Sequence, residues 1–452
     1  MINSPAINFR NLRTHAGSVN IGFEELTRQI VVAESYSNIS KIEHRGPGAD
    51  GGVEVLIQFE NGSAWGWQSK WFIDDFGSSE TAQLKKSLKS AIKNIPNLEK
   101  YFVAIPRNLS NAAQGRKNSQ QKHWDSFVEW AQEFASRKSR RIELELWNET
   151  FFVSRLQLND PHHIGMLHYW FNSETLSTAY TQQKLQTALD QIQDRYSPEF
   201  HVDLMISRHF HTLRRSAEYL DYVNGFAEKV SEMRKVTSHF FRHTETDFSE
   251  LGCNLDQKLI DIQNVFDEID FGGNETIDLS ALEKNIQAFG SSKNLSDLAD
   301  LCRKKREIAE LEKSENDKQT YDSKKQTKSD ERALDELRSE YHSISDYFYY
   351  HISSLLYEPY LLLKGEAGSG KSHLLADEIK KHIETDQTGF FIPGQNISDP
   401  LKAEEEILKY LDFSNLKFNE FLGILSAASY ANGKPILLAI DALNESDRME
   451  RW

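Results

Sequence analysis

Three side chains on two short stretches carry the most suggestive chemistry in this sequence: Glu54 in "GADGGVEVLIQF", and Gln68 and Lys70 in "WGWQSKW". A carboxylate, an amide oxygen and an ammonium group brought together suit a divalent cation and a phosphate. Mg2+ takes oxygen ligands and asks for few protein carboxylates. Such an ion, Mg2+ or Mn2+, lowers the pKa of a bound water and steadies the pentavalent phosphate. A nearby lysine orients or deprotonates that water, or offsets developing charge. Asp50, in the glycine turn just before the first stretch, is placed to add a ligand or hold a water. Glu24, on a preceding helical stretch, is a further candidate metal ligand.

These groups meet only if the two stretches pair as a hairpin in the right register. Strand residues two apart share a side. Glu54, Leu56 and Gln58 then share one side, and Val53, Val55, Ile57 and Phe59 the other, core side. Trp65, Trp67 and Trp71 share a side of the second arm, opposite Gln68 and Lys70. A two-residue Asn61-Gly62 turn would put Glu54 opposite Ser69, on the side of the tryptophans. A three-residue loop, Glu60-Asn61-Gly62 with Gly62 left-handed, pairs Phe59 with Ser63 and Glu54 with Gln68. A slip of one residue flips every side chain, so the spacing predicts the three-residue loop. Glu54 and Lys70 also fit a plain cross-strand ion pair, worth ~0.2–1 kcal/mol.

The motif "FEEL … GADGGVEV … WQSK" resembles the restriction-endonuclease fold of the PD-(D/E)xK class, nearest to its Mrr-like branch. The resemblance implies that Glu54 takes the metal-ligand acidic position, Gln68 the (D/E) position and Lys70 the lysine. It also implies a metal contact from the backbone carbonyl of Ser69 and a helix glutamate, Glu24, with Glu25 a close competitor. Two residues depart from the usual pattern: Glu54 is longer than aspartate, and Gln68 brings no negative charge. The implied substrate is double-stranded DNA. Lys85, Lys86, Lys89 and Lys93 on one helix, and Arg137, Lys138, Arg140 and Arg141 before a strand, offer local positive charge for phosphates or serve solubility alone.

A second motif lies far along the chain. "GEAGSGKS", Gly365 to Ser372, matches G-x-x-x-x-G-K-[ST] in full. The glycines Gly365, Gly368 and Gly370 let backbone N–H groups curl around phosphate oxygens, and the following helix adds its positive end. Lys371 reaches the β- and γ-phosphates of ATP, and Ser372 reaches Mg2+. "YLLLK" before the loop reads as its strand and "SHLLADEIKKHI" after it as its helix. "PILLAIDALNES" supplies a partner strand ending in Asp441, placed to hold the Mg2+ shell. "DALNE" resembles the second motif of NACHT-like STAND NTPases, with Asn444 in place of an acid and Glu445 as the candidate for polarising the attacking water.

Taken together, these motifs resemble the prokaryotic antiviral STAND NTPases. That resemblance implies a DNA-cutting effector held inactive, a C-terminal part that senses a phage protein, and an NTPase that assembles the chains into a homo-oligomer. Two alternatives share the residues: a modification-dependent restriction enzyme driven by an NTPase motor, and a nucleotide-gated scaffold whose nuclease fold is inert.

The elements that must position these groups fall into three regions. Residues 1–155 mix helical and strand patterns, as in "ETAQLKKSLKSAIKNI", "KYFVAIP", "HWDSFVEWAQEFA" and "RRIELELW". An α/β domain of restriction-endonuclease type is expected there. Residues 156–345 read as an all-helical linker or regulatory region. Residues 346–452 read as an incomplete P-loop α/β domain, the front of a longer protein, since the chain ends soon after Asp441. His201, His209 and His211 fall in a joint within the helical region, without a carboxylate or cysteine to complete a metal set.

A chain of 452 residues suits two or three domains. Its net charge of −15 argues against a general polyanion binder, so any nucleic-acid contact must be local. Two cysteines, Cys253 and Cys302, give neither a disulfide framework nor a zinc spacing. No apolar run suggests a signal peptide or membrane helix, and a cytoplasmic protein with no membrane partner is expected.

Overall fold

Alternating apolar residues and one left-handed glycine build the central sheet. The computed structural model describes residues 5–45, 51–111, 119–197, 206–242, 249–273, 277–290, 334–352, 358–366 and 368–441, with isolated positions between 297 and 356. The fold is mixed α/β and separates into two compact units. The first comprises 1–193, 383–432 and 438–452; the second comprises 194–382 and 433–437.

In the first unit α1 (Val19–Ala33) precedes β1 (Ile39–His44), β2 (Val55–Phe59) and β3 (Ala64–Ser69). Then come α2 (Ser78–Asn94), β4 (Leu98–Ala104), α3 (Gln120–Ser136), β5 (Glu143–Trp147) and α4 (Glu149–Leu156). Five strands lie in the order β1-β2-β3-β4-β5. The first three are antiparallel, and β3, β4 and β5 run parallel through the α2 and α3 crossovers. Helices α5 (Pro161–Phe171) and α6 (Thr178–Ile192) follow.

The hairpin takes the expected register. Val55 pairs with Trp67, Leu56 with Gly66, Ile57 with Trp65 and Gln58 with Ala64. Phe59 N–H donates to the Ser63 carbonyl at 2.9 Å, and Gly62 has φ 83°. Counting back, Glu54 stands opposite Gln68, and Glu54 N–H donates to the Trp67 carbonyl at 2.8 Å.

Both faces of this sheet are packed. On one, Leu56, Ala64, Tyr101 and Val103 meet Leu84, Leu88 and Ala91 of α2 and Phe127 and Ala131 of α3. On the other, Trp67 stacks on Phe102 with centroids 4.4 Å apart, and Trp147 and Phe152 continue the aromatic layer to Phe23 of α1. The side carrying Glu54 and Gln68 is therefore a second core face, with Glu54 and Gln68 at one end and Gln58, which donates to Glu43 Oε1 at 3.3 Å, toward the other.

Val53 departs from the expected pattern. It packs with Leu56 and lies over Gly66, where a Cβ would come within 2.6 Å of Val53 Cγ1. The turn before β2 dives between the sheet and α2, so strand alternation has not begun at Val53. Gly52, with φ 95°, makes that passage possible: a Cβ there would sit 2.2 Å from the Ser87 carbonyl oxygen. Tyr101 Oη donates to the Gly52 carbonyl at 3.0 Å and holds the turn down.

The second unit is a helical core followed by the P-loop. It contains α7 (Ser207–Arg214), α8 (Ala217–Arg242), α9 (Ser249–Asp267), α10 (Ser280–Gly290) and a helical run over 334–347. Tyr219, Val223, Phe226, Val230 and Met233 recur at helical spacing on α8 and pack against Leu255, Leu259 and Ile262 of α9. The helix after the P-loop, α11 (Lys371–Glu384), begins here.

Strand β6 (Gly389–Pro393), helices α12 (Ala403–Tyr410) and α13 (Phe418–Asn432) and strand β7 (Leu437–Asp441) complete the described chain. β6 and β7 form a two-stranded sheet, and α13 packs on α5. The expected strand "YLLLK" is not one: 360–364 makes no ladder with the described residues, and Tyr360 and Leu362 are 69% and 64% exposed. A strand is defined by the neighbours that take its hydrogen bonds, and a short apolar run alone supplies none. Among the described residues no helix is long and apolar enough to cross a membrane.

Candidate functional site

Glu54 leaves the buried turn one residue before β2, Gln68 comes from the last steps of β3, and Lys70 lies one residue past its end. The register aims the first two at each other. Glu54 Oε2 accepts the Ser69 backbone N–H at 2.7 Å. Glu54 Oε1 accepts a hydrogen bond from Gln68 Nε2 and lies 3.7 Å from Lys70 Nζ. The Glu54 and Lys70 side chains are 13% and 24% exposed, so the pair is sheltered yet reachable. Gln68 is fully buried, and its Oε1 has no hydrogen-bond partner among the described residues. A buried amide oxygen left unpaired costs roughly 1–3 kcal/mol.

The clamp from the Ser69 N–H was not foreseen, and only the register of the pair could have shown it. Glu24 is half-buried on α1. Its competitor Glu25 is taken by structure: it accepts from Arg28 Nε at 2.6 Å and from Gln29 Nε2 at 2.9 Å. Asp50 lies outside the described residues. Among those described, no three His, Cys, Asp or Glu side chains gather as a metal cluster. The donor set at Glu54 would rest on one carboxylate with amide and carbonyl oxygens, which suits a hard cation that keeps several waters.

Several basic groups expected to face phosphates are engaged elsewhere. Arg140 donates to the Ile92 and Leu98 carbonyls at 2.8 and 2.9 Å, tying α2 and β4 to the approach of β5. Arg137 pairs with Glu133. Lys85 and Lys89 lie over the Trp130 ring at 5.0 and 5.6 Å from its centroid. Among the described residues His209 and His211 join no metal set, and His211 Nδ1 faces Ser216 Oγ at 3.1 Å and Arg214 Nη2 at 3.2 Å. His201 lies outside the described residues.

In the second unit, Gly368 and Gly370 have φ 78° and 81° and curl the loop ahead of α11. Lys371 Nζ folds back over that loop. It donates to the Gly365 and Glu366 carbonyls at 3.0 and 2.7 Å and to Ser369 Oγ at 3.2 Å. Ser372 is the second residue of α11 and half-buried. In the first unit, Asp441 ends β7, is 3% exposed, and its Oδ2 has no hydrogen-bond partner among the described residues. A buried carboxylate oxygen without a donor fits a place in a cation's shell. Glu445 and Asn444 lie outside the described residues.

Comparison with protein-family models, with curated proteins and with solved structures finds no match.

Proposed function

We propose that the chain is a metal-dependent DNA endonuclease under the control of a nucleotide-binding P-loop module, of the kind prokaryotes use against phage. One observation carries this reading. The Glu54 carboxylate, the buried Gln68 amide, whose oxygen has no hydrogen-bond partner among the described residues, and the Lys70 ammonium converge at one end of the β2–β3 hairpin.

Glu54, Gln68 and the Ser69 carbonyl would hold the divalent cation, with Asp50 and Glu24 as further donors. When bound, the cation supplies the positive charge that acidifies a water and steadies the phosphate. The Ser69 N–H keeps the Glu54 carboxylate aimed. Lys70, on a rigid strand end, orients the attacking water or takes its proton and offsets charge on the phosphate. At the P-loop, the glycine-rich backbone and Lys371 take the phosphates of ATP, with Ser372 on the Mg2+ side. Nucleotide-driven assembly of several copies, set off by a phage protein, would release the cutting activity.

Both Glu54 oxygens accept bonds from the protein, as they would in an inert ion pair, so the nucleotide-gated scaffold is the competing reading. Purified protein, supercoiled plasmid and Mg2+ or Mn2+ separate the two. Glu54→Ala and Lys70→Ala should each abolish cutting, and undiminished cutting in both discards the site. Lys371→Ala should abolish binding of labelled ATP.

A further inference from the structure

We propose that Tyr196 and His373 form an aromatic shelf for the base of the nucleotide held by the P-loop. This rests on the P-loop reading and adds what that motif leaves unsaid, namely what recognises the nucleoside. His373 is the third residue of α11, immediately after Ser372. Its ring meets the Tyr196 ring with centroids 5.1 Å apart and planes 33° from parallel. The Ser197 backbone N–H donates to His373 Nδ1 at 3.3 Å. That bond orients the imidazole and assigns Nδ1 as acceptor, so a neutral ring carries its hydrogen on Nε2. Lys380 Nζ stands 6.0 Å from the Tyr196 ring centroid, two turns further along α11. The tyrosine thus lies along the helix face that starts at the phosphate loop. Both rings are half-buried.

The geometry of a P-loop sets where the nucleoside must go. The loop amides and Lys371 take the outer phosphates. The first N–H groups of α11 have no partner within the helix and point at the inner phosphate. A nucleoside attached there departs across the first turn, where His373 stands. Base–aromatic stacking tolerates any base, so the shelf fits a nucleoside triphosphate rather than a bare polyphosphate. Residues 195–197, about 170 positions before the loop in sequence, would then sense whether the site holds a nucleotide.

The test compares ATP with inorganic tripolyphosphate, which offers the phosphates without a base, by titration calorimetry on the full chain. Tyr196→Ala and His373→Ala should each weaken ATP by about tenfold or more while leaving tripolyphosphate unchanged. Tyr196→Phe should keep ATP affinity, because it keeps the ring. Unchanged tripolyphosphate binding also shows that the variants fold. If ATP and tripolyphosphate weaken equally, or ATP does not weaken, the shelf is overturned and the P-loop reading stands. If the wild-type chain binds neither ligand, or Lys371→Ala binds both as well as wild type, the P-loop reading fails and takes the shelf with it.

Discussion

Removing the ammonium of Lys70 separates a catalytic role from a structural one, because the two predict opposite patterns in stability and activity. The 3.7 Å separation from Glu54 gives a gross attraction of about 4–5 kcal/mol at an effective dielectric near 20. Most of that offsets the cost of drawing two charges partly out of water, and such pairs leave a net of about 1 kcal/mol or less. Glu54 also keeps the Ser69 N–H and the Gln68 amide when Lys70 is gone. Lys70→Ala should therefore lower the thermal midpoint by no more than about 2–4 °C. Plasmid cutting should fall by about 10²–10⁴, the range for losing a positioned proton-transfer or charge-stabilising group. Binding of Mn2+, followed by its paramagnetic resonance signal, adds a sign. Lys70→Ala should bind Mn2+ as tightly as wild type or more so, because a like charge has left, whereas Glu54→Ala should lose it. A Lys70→Ala protein that melts much earlier yet cuts at the wild-type rate would show the pair to be structural and refute the reasoning.

Gly52→Ala should destabilise by about 3 kcal/mol or more in urea, since the new Cβ would lie 2.2 Å from a carbonyl oxygen at φ 95°, and cutting should fall with the aim of Glu54. Gly62→Ala, at φ 83° but with open space around it, should cost only about 1 kcal/mol, and equal losses at the two positions would contradict the buried turn. His168, 2% exposed on α5, has its pKa lowered by burial, with Glu420 opposing. Its folded pKa lies below the unfolded value near 6.5, so stability is full above that pH and declines as pH falls toward the folded value. His168→Leu should flatten the thermal midpoint between about pH 6.5 and 5 relative to wild type, and parallel curves would rule this out. Arg214 Nη2 meets the buried Glu378 carboxylate at 3.1 Å, with Lys381 Nζ at 3.6 Å, and burial raises the Glu378 pKa against both cations. Arg214→Ala should cost about 3–5 kcal/mol, and Arg214→Met with Glu378→Leu should restore most of it; no recovery in urea melts would mean the pair is not the cause.

What could be read from the sequence, and what could not, divides on whether the information is local. The β2–β3 register was legible because three local signals agree: Asn61-Gly62 demands a left-handed step, Val55 and Ile57 want one side, and Trp65 and Trp67 want the same side. β4 and β5 were legible as "KYFVAIP" and "RRIELELW" for the same reason, and α2 from its row of Leu84, Leu88 and Ala91. β1 was not, because "ISKIEH" is an edge strand and its Lys41, Glu43 and His44 mask the strand pattern. "YLLLK" failed in the opposite sense: its composition is that of a strand, but a strand needs a neighbour, and composition does not say where the neighbour is. Val53 failed because alternation holds only within a ladder, and the chain enters the ladder one residue later, after passing under Ser87 and Ala91 of α2. That passage also decides the candidate site. A turn lying free in solvent would leave Glu54 to rotate among rotamers, whereas one wedged between sheet and helix fixes its Cα, and the Ser69 N–H then fixes its carboxylate. The residue types that suggest the chemistry are local and could be read in sequence. The rigidity that would let them act together comes from α2, some thirty residues further along the chain, and no local pattern at Glu54 encodes it.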